Sequence, residues 1–405
     1  MASRGTAWDR VGADKGGDLA GDLKIKIIEP IAVGLPMKKP VQMAGETVAR
    51  ADNVLLRIEA DNGVVGWGEA ASAPTMTGET TASMMAAVAH MTPILLKRPA
   101  DDFAGISAAM DAAMYGNSGA KAAIEIALHD LVGRATGRPL HALFGPNLRA
   151  RMPVLAVVGS DNAEADRREA EARYAAGYRA FKIKVGLGSP EADAQRTRLV
   201  CAALKAHGSA NGVANGVECL VSSDANQGYD GEGALRYIRA IADSGLDFFE
   251  QPVAAHDLDG MARVAAAVPA IRIGADEGIH SAGDIARHHE RNAARGASLK
   301  AIKLGGLRAL FEAARLCDRL GMSLNISCKT GESSVASAAA AHIAAVVPSL
   351  AWGLTVTNPA LAEDVVTAPL EVVNGYVAVP DGPGLGIEVD ERRVRRRQQE
   401  FKRVA

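Results

Sequence analysis

The chain has 405 residues, of which 48% are hydrophobic and 23% are charged, and its formal net charge at pH 7 is −2. This near-neutral balance argues against nucleic acid or an anionic membrane surface as the main partner, and no stretch approaches the roughly 18 apolar residues of a membrane span. The length exceeds one ordinary core and favours two domains, or one barrel with an attached unit.

The N-terminus and the cysteines bear on the compartment. Residues 1–23 are rich in Gly, Ala and Asp and lack the apolar region of a signal peptide, so we expect a flexible extension. The cysteines form no CxxC pair and predict reduced thiols, not disulfides or a zinc site; they are Cys201, Cys219, Cys317 and Cys328. We therefore expect a cytoplasmic protein.

The first folded unit is expected over residues 24–150 and mixes strands with helices. Two apolar runs are joined by Asp61-Asn62-Gly63, which predicts a β-hairpin. The following stretch, residues 78–145, is rich in Ala, and its apolar side chains recur at helical spacing. Gly137 is the predicted end of its last helix. These features predict an α+β unit.

From residue 152 the pattern changes to short apolar strands that alternate with helices. Such alternation indicates parallel strands with crossover helices. Seven or eight units in about 200 residues fit a closed barrel better than an open sheet. We assign the barrel to residues 151–365. Residues 366–405 return to hairpin character and are expected to pack on the N-terminal unit.

Polar side chains gather where the predicted barrel strands end, which is the edge that carries active sites in such barrels. In the strand AFKIKVG, Lys182 and Lys184 lie on one face because successive side chains alternate. Taken alone, this pair would fit a solvated strand face. The other predicted strand ends carry further polar side chains: Asp224, Asn226, Glu250, Gln251, Asp276, Glu277 and Lys303.

Three consecutive strands thus deliver Asp224, Glu250 and Asp276 to one end of one barrel. Converging carboxylates repel each other unless a positive group lies among them. Oxygen ligands without His or Cys suit Mg²⁺, with Mn²⁺ as an alternative, and argue against zinc. A lysine near such a cation and another lysine can serve as a general base. The pattern predicts proton abstraction beside a substrate carboxylate, with the cation stabilising the enediolate.

Five motifs in one order make this sequence resemble the muconate-lactonizing-enzyme (mandelate racemase/muconate cycloisomerase) subgroup of the enolase superfamily. They are KIK (182–184), DANQGYD (224–230), FFEQPV (248–253), GADEGI (274–279) and IKLGGL (302–307). The resemblance covers residues 24–390. It implies an α/β fold, a modified TIM barrel of the (β/α)7β type, with an α+β capping domain formed by the N-terminal part and the C-terminal segment. It also implies a homo-oligomer.

The resemblance further implies individual roles. The metal ligands would be Asp224, Glu250 and Asp276. Lys184 and Lys303 would be acid and base catalysts on opposite faces of the substrate. Lys182 would help polarise the site or lower the pKa of Lys184. Residues 36–50 would form a loop over the substrate. Supporting roles would fall to Asn226, Glu277 and Glu332. Substrate binding is also expected around Lys329 and Thr355, where the sequence departs from the family pattern.

Two strand ends depart from the family pattern. The seventh, SCKTGESS, has an unusual Lys329 before Glu332, and the eighth, WGLTVTNP, lacks the acidic residues of muconate cycloisomerases and dipeptide epimerases. We expect a Mg²⁺-dependent isomerase of a small-molecule carboxylate, either a muconate-type cycloisomerase or a racemase/epimerase of an amino-acid derivative. An acid-sugar or hydroxy-acid dehydratase on the same scaffold is the alternative. A non-catalytic barrel is disfavoured because the carboxylates and lysines are all present.

Overall fold

The computed structural model describes residues 23–43, 46–160, 162–210 and 219–404. Apart from Leu23, the predicted N-terminal extension lies outside these residues. No helix in the described ranges is long and apolar enough to cross a membrane. The cysteines at 201, 219, 317 and 328 are all free thiols.

The N-terminal unit is a three-stranded antiparallel sheet covered by helices. Its strands follow the order β1-β2-β3 and are β1 (Ile25–Met43), β2 (Glu46–Ala60) and β3 (Val65–Ala71). The predicted turn between β2 and β3 is confirmed, with Gly63 at φ 86°. The helices are α1 (Thr81–Leu95), α2 (Phe103–Ala113) and α3 (Ser118–Thr136), followed by a 3-10 turn at Leu140–Leu143.

Helix α3 packs unusually close to strand β3. A Cβ atom on Gly68 would lie 2.0 Å from the Ala123 carbonyl oxygen, and one on Gly66 would lie 2.2 Å from the Ala127 carbonyl oxygen. Only glycine permits this approach. Gly137 ends the helix in the left-handed region, with φ 67°, as predicted.

The described residues of the segment 36–50, which are 36–43 and 46–50, are strand and not loop, so the loop prediction is wrong for them. Strands β1 and β2 continue through it as a paired hairpin, with Pro36 opposite Arg50 and Val41 opposite Val48. Backbone pairing therefore continues on both sides of a register shift between Pro36 and Val41. Pro40 and Val41 still line a cavity of about 470 Å³ at the barrel, so β1 lies where the loop was expected.

An eight-stranded parallel sheet forms the second unit, with its strands in consecutive order. A parallel bridge between Val154 and Leu354 links its two edges, so the sheet forms a nearly closed barrel. The strands are β5 (Leu155–Val158), β6 (Ala180–Lys184), β7 (Leu220–Asp224), β8 (Phe248–Glu250), β9 (Arg272–Ala275), β10 (Gly296–Leu299), β11 (Ser323–Ser327) and β12 (Leu354–Thr355).

Helices connect consecutive barrel strands, which gives the predicted (β/α)7β arrangement under a capping domain. They are α4 (Ala163–Ala175), α5 (Pro190–Ala210), α6 (Gly231–Ala240), α7 (Leu258–Ala267), α8 (Ala282–Glu290), α9 (Ala301–Leu304), α10 (Leu307–Arg319) and α11 (Ser334–Val346). A 3-10 turn at Asn358–Ala360 follows β12.

The sixth barrel strand differs from its prediction. Strand β10 ends at Leu299, and α9 begins two residues later with the amides of Lys303 and Leu304 bonded to the Lys300 carbonyl. The prediction that this strand carries Lys303 is therefore wrong. The residue that follows the last strand residue is Lys300.

The C-terminal segment contacts both units. Strand β13 (Tyr376–Ala378) pairs antiparallel with the short strand β4 (Arg151–Pro153). The final helix, α12 (Glu391–Val404), is joined to β1 by two bonds of 2.6 and 2.8 Å from Arg395 to the Glu29 carboxylate. The boundaries of the domains, 24–150, 151–365 and 366–405, stay predictions.

Candidate active site

A cavity of about 470 Å³ opens at the carboxyl ends of the barrel strands, next to Pro40 and Val41 of β1. This size suits a small-molecule substrate. The cavity brings together most of the predicted site residues: Lys182, Lys184, Asp224, Asn226, Asp276, Glu277, Lys329 and Thr355.

Strand β6 supplies two lysines because its side chains alternate. Phe181 and Ile183 are fully buried, while Lys182 and Lys184 line the cavity. The Lys182 amine donates to both Glu250 carboxylate oxygens at 2.9 and 2.7 Å. Burial opposes its charge, but the nearby carboxylates, Glu250 first among them, outweigh burial and raise the pKa of Lys182.

The Lys184 side chain is more exposed than that of Lys182, 18% against 5%. It donates to Asp224 Oδ2 and to Asn226 Oδ1, both at 2.6 Å. The Asn226 amide then donates to Glu277 Oε1 at 3.0 Å. A continuous polar chain therefore runs from Lys184 of β6, through Asn226, to Glu277, the second residue after β9.

Lys300 is a functional candidate that the sequence reading missed. Its side chain is 6% exposed, lines the cavity, and donates to both oxygens of the Asp276 carboxylate. Burial opposes its charge, but Asp276 raises the pKa of Lys300. The strand residues GASL end directly before this lysine. Recognising that strand end in the sequence would have identified Lys300.

Lys303 does not line this cavity. Its buried amine donates to Asp276 Oδ1 at 2.5 Å, to the Asp276 carbonyl oxygen, and to the Ser298 carbonyl oxygen at 3.1 Å. It lines a separate cavity of about 360 Å³ next to the capping helices. Burial lowers the pKa of Lys303, against the opposing attraction of Asp276. The predicted placement of Lys303 at the substrate is therefore wrong.

The three predicted metal ligands are buried and paired with lysines. Asp224, Glu250 and Asp276 are 1%, 0% and 4% exposed. In the described ranges, no three acidic, His or Cys side chains converge closely enough to hold a metal as they stand. Lys182 explains part of this, since its amine lies 2.7 Å from Glu250 and 3.8 Å from Asp224.

The donor set nevertheless fits a hard divalent cation. Carboxylate oxygens from neighbouring strand ends are the ligands that Mg²⁺ takes in proteins. Asp224 stands directly opposite Glu250 in the β7–β8 register, so their side chains leave adjacent strands at the same level. A cation could bind once the amines of Lys184 and Lys300 turn from these carboxylates towards a substrate.

Glu277 lies beside this group and is strongly perturbed. Burial, with the charges of Asp276 and Asp224, raises its pKa to about 7. Its Oε2 atom is buried and has no hydrogen-bond partner among the described residues. This oxygen is a further acceptor beside Asp276 and Asp224, of the kind that a hard cation takes as a ligand.

The loop after β11 holds Lys329 at the cavity wall. The Thr357 hydroxyl donates to the Lys329 carbonyl oxygen at 2.8 Å, and the Lys329 amide donates to Glu332 Oε2 at 2.8 Å. Glu332 itself lies behind the loop, where burial and the charge of Glu69 raise its pKa to about 8. Thr355, at the end of β12, completes this wall.

Two models of known protein families match most of this chain. Residues 27–145 match the family model "Mandelate racemase / muconate lactonizing enzyme, N-terminal domain". Residues 165–393 match the model "Enolase C-terminal domain-like".

The matches to named relatives cover almost the full length of those proteins. An L-Ala-D/L-Glu epimerase of Clostridium acetobutylicum is 32% identical, over 89% of this chain and 99% of that protein. A chloromuconate cycloisomerase of Cupriavidus pinatubonensis is also 32% identical, over 90% of this chain and 96% of that protein.

Solved structures agree with these relatives. A muconate lactonizing enzyme from Pseudomonas fluorescens, complexed with muconolactone, is 28% identical with a TM-score of 0.84, and the match covers 92% of this chain and 99% of that one. A dipeptide epimerase from Enterococcus faecalis V583, complexed with Mg and L-Leu-L-Tyr, is 27% identical with a TM-score of 0.81, over 90% and 99%.

The two family models together span most of the chain, and the named relatives are cycloisomerases and epimerases. This chain belongs to the muconate-lactonizing-enzyme subgroup of the enolase superfamily and is an enzyme of the isomerase class.

Proposed function

We propose that this enzyme moves a proton at the carbon next to a substrate carboxylate, as a racemase or epimerase of an amino-acid derivative. The observation that carries the proposal is the position of two lysines. Lys184 and Lys300 both line the cavity and belong to strand ends four places apart in the eight-stranded barrel. They therefore stand on opposite walls, with the acidic residues between them.

Three carboxylates would hold a Mg²⁺ ion, with Mn²⁺ as an alternative: Asp224, Glu250 and Asp276. The support is their burial, their strand-end positions and the magnesium in the complex of the dipeptide epimerase. When bound, the cation would supply positive charge beside the substrate carboxylate. Lys182, bonded to Glu250, would keep that ligand ionised.

The lysines would carry the proton. In one direction the neutral Lys184 amine takes the proton from the α-carbon, and the electron pair of the C–H bond moves into the adjacent carboxylate as an enediolate. The Lys300 ammonium then gives a proton to the opposite face of that carbon, which inverts its configuration. The reverse direction exchanges the two roles, so atoms and charge balance.

Solvent exchange tests this proposal. N-acylated amino acids and dipeptides would be incubated with the enzyme and Mg²⁺ in D₂O, and deuterium at the α-carbon would be followed by NMR. We expect exchange that EDTA abolishes and added Mg²⁺ restores. Absence of exchange with every racemisable substrate would overturn the racemase assignment.

A muconate-type cycloisomerase is the second candidate, favoured by the similarity to a chloromuconate cycloisomerase. In that reaction one substrate carboxylate adds to the β-carbon of the other, and the electron pair of the double bond moves into the second carboxylate as an enediolate. Lys184 or Lys300 would then protonate the carbon next to that second carboxylate, and the reverse reaction would remove this proton as the C–O bond breaks. The remaining alternative is a dehydratase, and the mass of the product distinguishes it. A dehydratase product is lighter than the substrate by one water, whereas the product of either isomerase has the same mass as the substrate. A cytoplasmic location and a homo-oligomer remain part of the proposal.

A further inference from the structure

Asp276 is held by two lysines that face different cavities. Lys300 lines the active-site cavity, whereas Lys303 lines the cavity between the barrel and helices α2 and α3. The two lysines lie three residues apart, one before and one within the short helix α9. Their amines therefore reach the same carboxylate from different sides.

The Lys303 amine is fully occupied. An ammonium group has three N–H donors, and the Lys303 amine makes three hydrogen bonds, to Asp276 Oδ1, the Asp276 carbonyl oxygen and the Ser298 carbonyl oxygen. Its side chain is 0% exposed. A donor group saturated in this way has no direction left in which to contact a substrate.

Two of these three acceptors are backbone carbonyls, that of Asp276 directly after β9 and that of Ser298 within β10. The barrel strands hold both carbonyls in place, independently of side-chain movements in the active-site cavity. The Lys300 amine, by contrast, bonds only carboxylate oxygens in the hydrogen bonds described. The position of the Lys300 amine therefore depends on the Asp276 side chain alone in these bonds, whereas the Lys303 amine is also anchored to the backbone.

We propose that Lys303 is a positioning residue, which fixes the orientation of the Asp276 carboxylate so that its other oxygen faces the metal position. This inference rests on the metal site of the proposed function. It assigns the two lysines of LKAIKLG to separate tasks, proton transfer for Lys300 and ligand orientation for Lys303. Residues that orient metal ligands typically change metal affinity by about 10-fold to 100-fold when they are mutated.

The test compares Lys303→Met with Lys300→Met, which removes the other amine from the same carboxylate. Mg²⁺ affinity of each purified protein would be measured by isothermal titration calorimetry without substrate. We expect Lys303→Met to bind Mg²⁺ about 10-fold to 100-fold more weakly than wild type. Lys300→Met should bind Mg²⁺ at least as tightly as wild type, because a cation that competes for Asp276 is gone.

A kinetic readout separates positioning from a general structural effect. At saturating Mg²⁺, Lys303→Met should recover most of the wild-type rate of α-proton exchange, whereas Lys300→Met should not. Lys303→Gln retains an N–H donor and should lie between wild type and Lys303→Met in Mg²⁺ affinity. If Lys303→Met does not fold, Lys303→Gln carries the comparison.

Unchanged Mg²⁺ affinity in the Lys303 variants would overturn the inference. So would a loss of turnover that no Mg²⁺ concentration restores, because that result would make Lys303 a catalytic residue. If wild type binds Mg²⁺ but exchanges no α-proton, the proposed function fails while the affinity comparison still decides the role of Lys303. If wild type binds no Mg²⁺, both fail.

Discussion

Lys184 and Lys300 face each other across one cavity, since β6 and β10 are four strands apart in a nearly closed barrel of eight. In this structure each amine bonds a different carboxylate, Asp224 for Lys184 and Asp276 for Lys300. A substrate carbon between them would therefore expose opposite faces to the two amines. This relationship makes a stereochemical prediction.

Replacing either lysine should stop proton transfer at one face of the substrate α-carbon. Lys184→Ala and Lys300→Ala should each lower the rate of racemisation by about 10²-fold to 10⁴-fold, which is the usual contribution of a general acid or base to the rate. Each variant should still exchange the α-proton of one enantiomer, and the two variants should exchange opposite enantiomers. Proton NMR of each pure enantiomer in D₂O measures this.

The matched control is Lys26→Ala, because the Lys26 side chain is 55% exposed on the capping sheet. It should behave as wild type. Equal loss of exchange from both enantiomers in both lysine variants would contradict the two-base arrangement.

Lys329 should govern substrate affinity more than turnover. It is 4% exposed, lines the cavity, and its loop is held by Thr357. Loss of a hydrogen bond to a charged group costs about 1.5–3 kcal/mol, so Lys329→Ala should raise KM by about 10-fold to 100-fold. The kcat should change little. Lys402→Ala, at an exposed position of the last helix, is the control; an unchanged KM for Lys329→Ala would remove Lys329 from the site.

Gly331 should be needed for contact between the Lys329 loop and the capping hairpin. It has φ 90°, and a Cβ atom there would lie 2.4 Å from Ala51 Cβ. Gly63 is a matched control, because its φ is 86° and a Cβ atom there would meet nothing within 4 Å. Backbone strain alone should cost about 1–2 kcal/mol in Gly63→Ala, and overpacking should add about 1–3 kcal/mol in Gly331→Ala.

Melting temperatures measure this pair of variants. Gly331→Ala should lower the melting temperature more than Gly63→Ala does. Combining Gly331→Ala with Ala51→Gly should bring the loss back to the level of Gly63→Ala. Equal losses in the two single variants would show that the contact with Ala51 does not constrain the loop.

Glu332 should make stability fall as pH rises. Its folded-state pKa is raised from 4.5 to about 8, first by burial and then by Glu69. Below pH 4.5 the carboxyl is protonated in both the folded and the unfolded state and contributes no pH dependence. Between these values only the unfolded state releases the proton, which costs the folded state up to about 1.4 kcal/mol per pH unit.

The measurement is the melting temperature of Glu332→Gln minus that of wild type, from pH 5 to pH 9. This difference should increase up to about pH 8 and then level off, since both states are ionised above the folded pKa. The control is Glu290→Gln, at an exposed position at the end of helix α8. A flat curve for Glu332→Gln would show that Glu332 is ionised in the folded protein.

Sequence periodicity by itself determined the barrel and most of the residues at the edge that carries the candidate site. Strand–helix alternation places the carboxyl ends of parallel strands together, so Lys182, Lys184, Asp224, Glu250 and Asp276 could be assigned to one rim before any coordinates. The turn at Gly63 and the helix end at Gly137 were likewise readable, because both need a left-handed backbone.

Only the tertiary structure decided which of two lysines, Lys300 or Lys303, enters the active-site cavity, because the local sequence pattern is the same around both. In LKAIKLG both lysines are flanked by apolar residues, and only the end of β10 at Leu299 distinguishes them. That end is set by pairing with β11, where Leu299 is opposite Ile326. The chain then turns into a helix, which sends Lys300 into the cavity and Lys303 behind Asp276. Such a boundary depends on partners distant in the chain, and the same holds for the hairpin at residues 36–50.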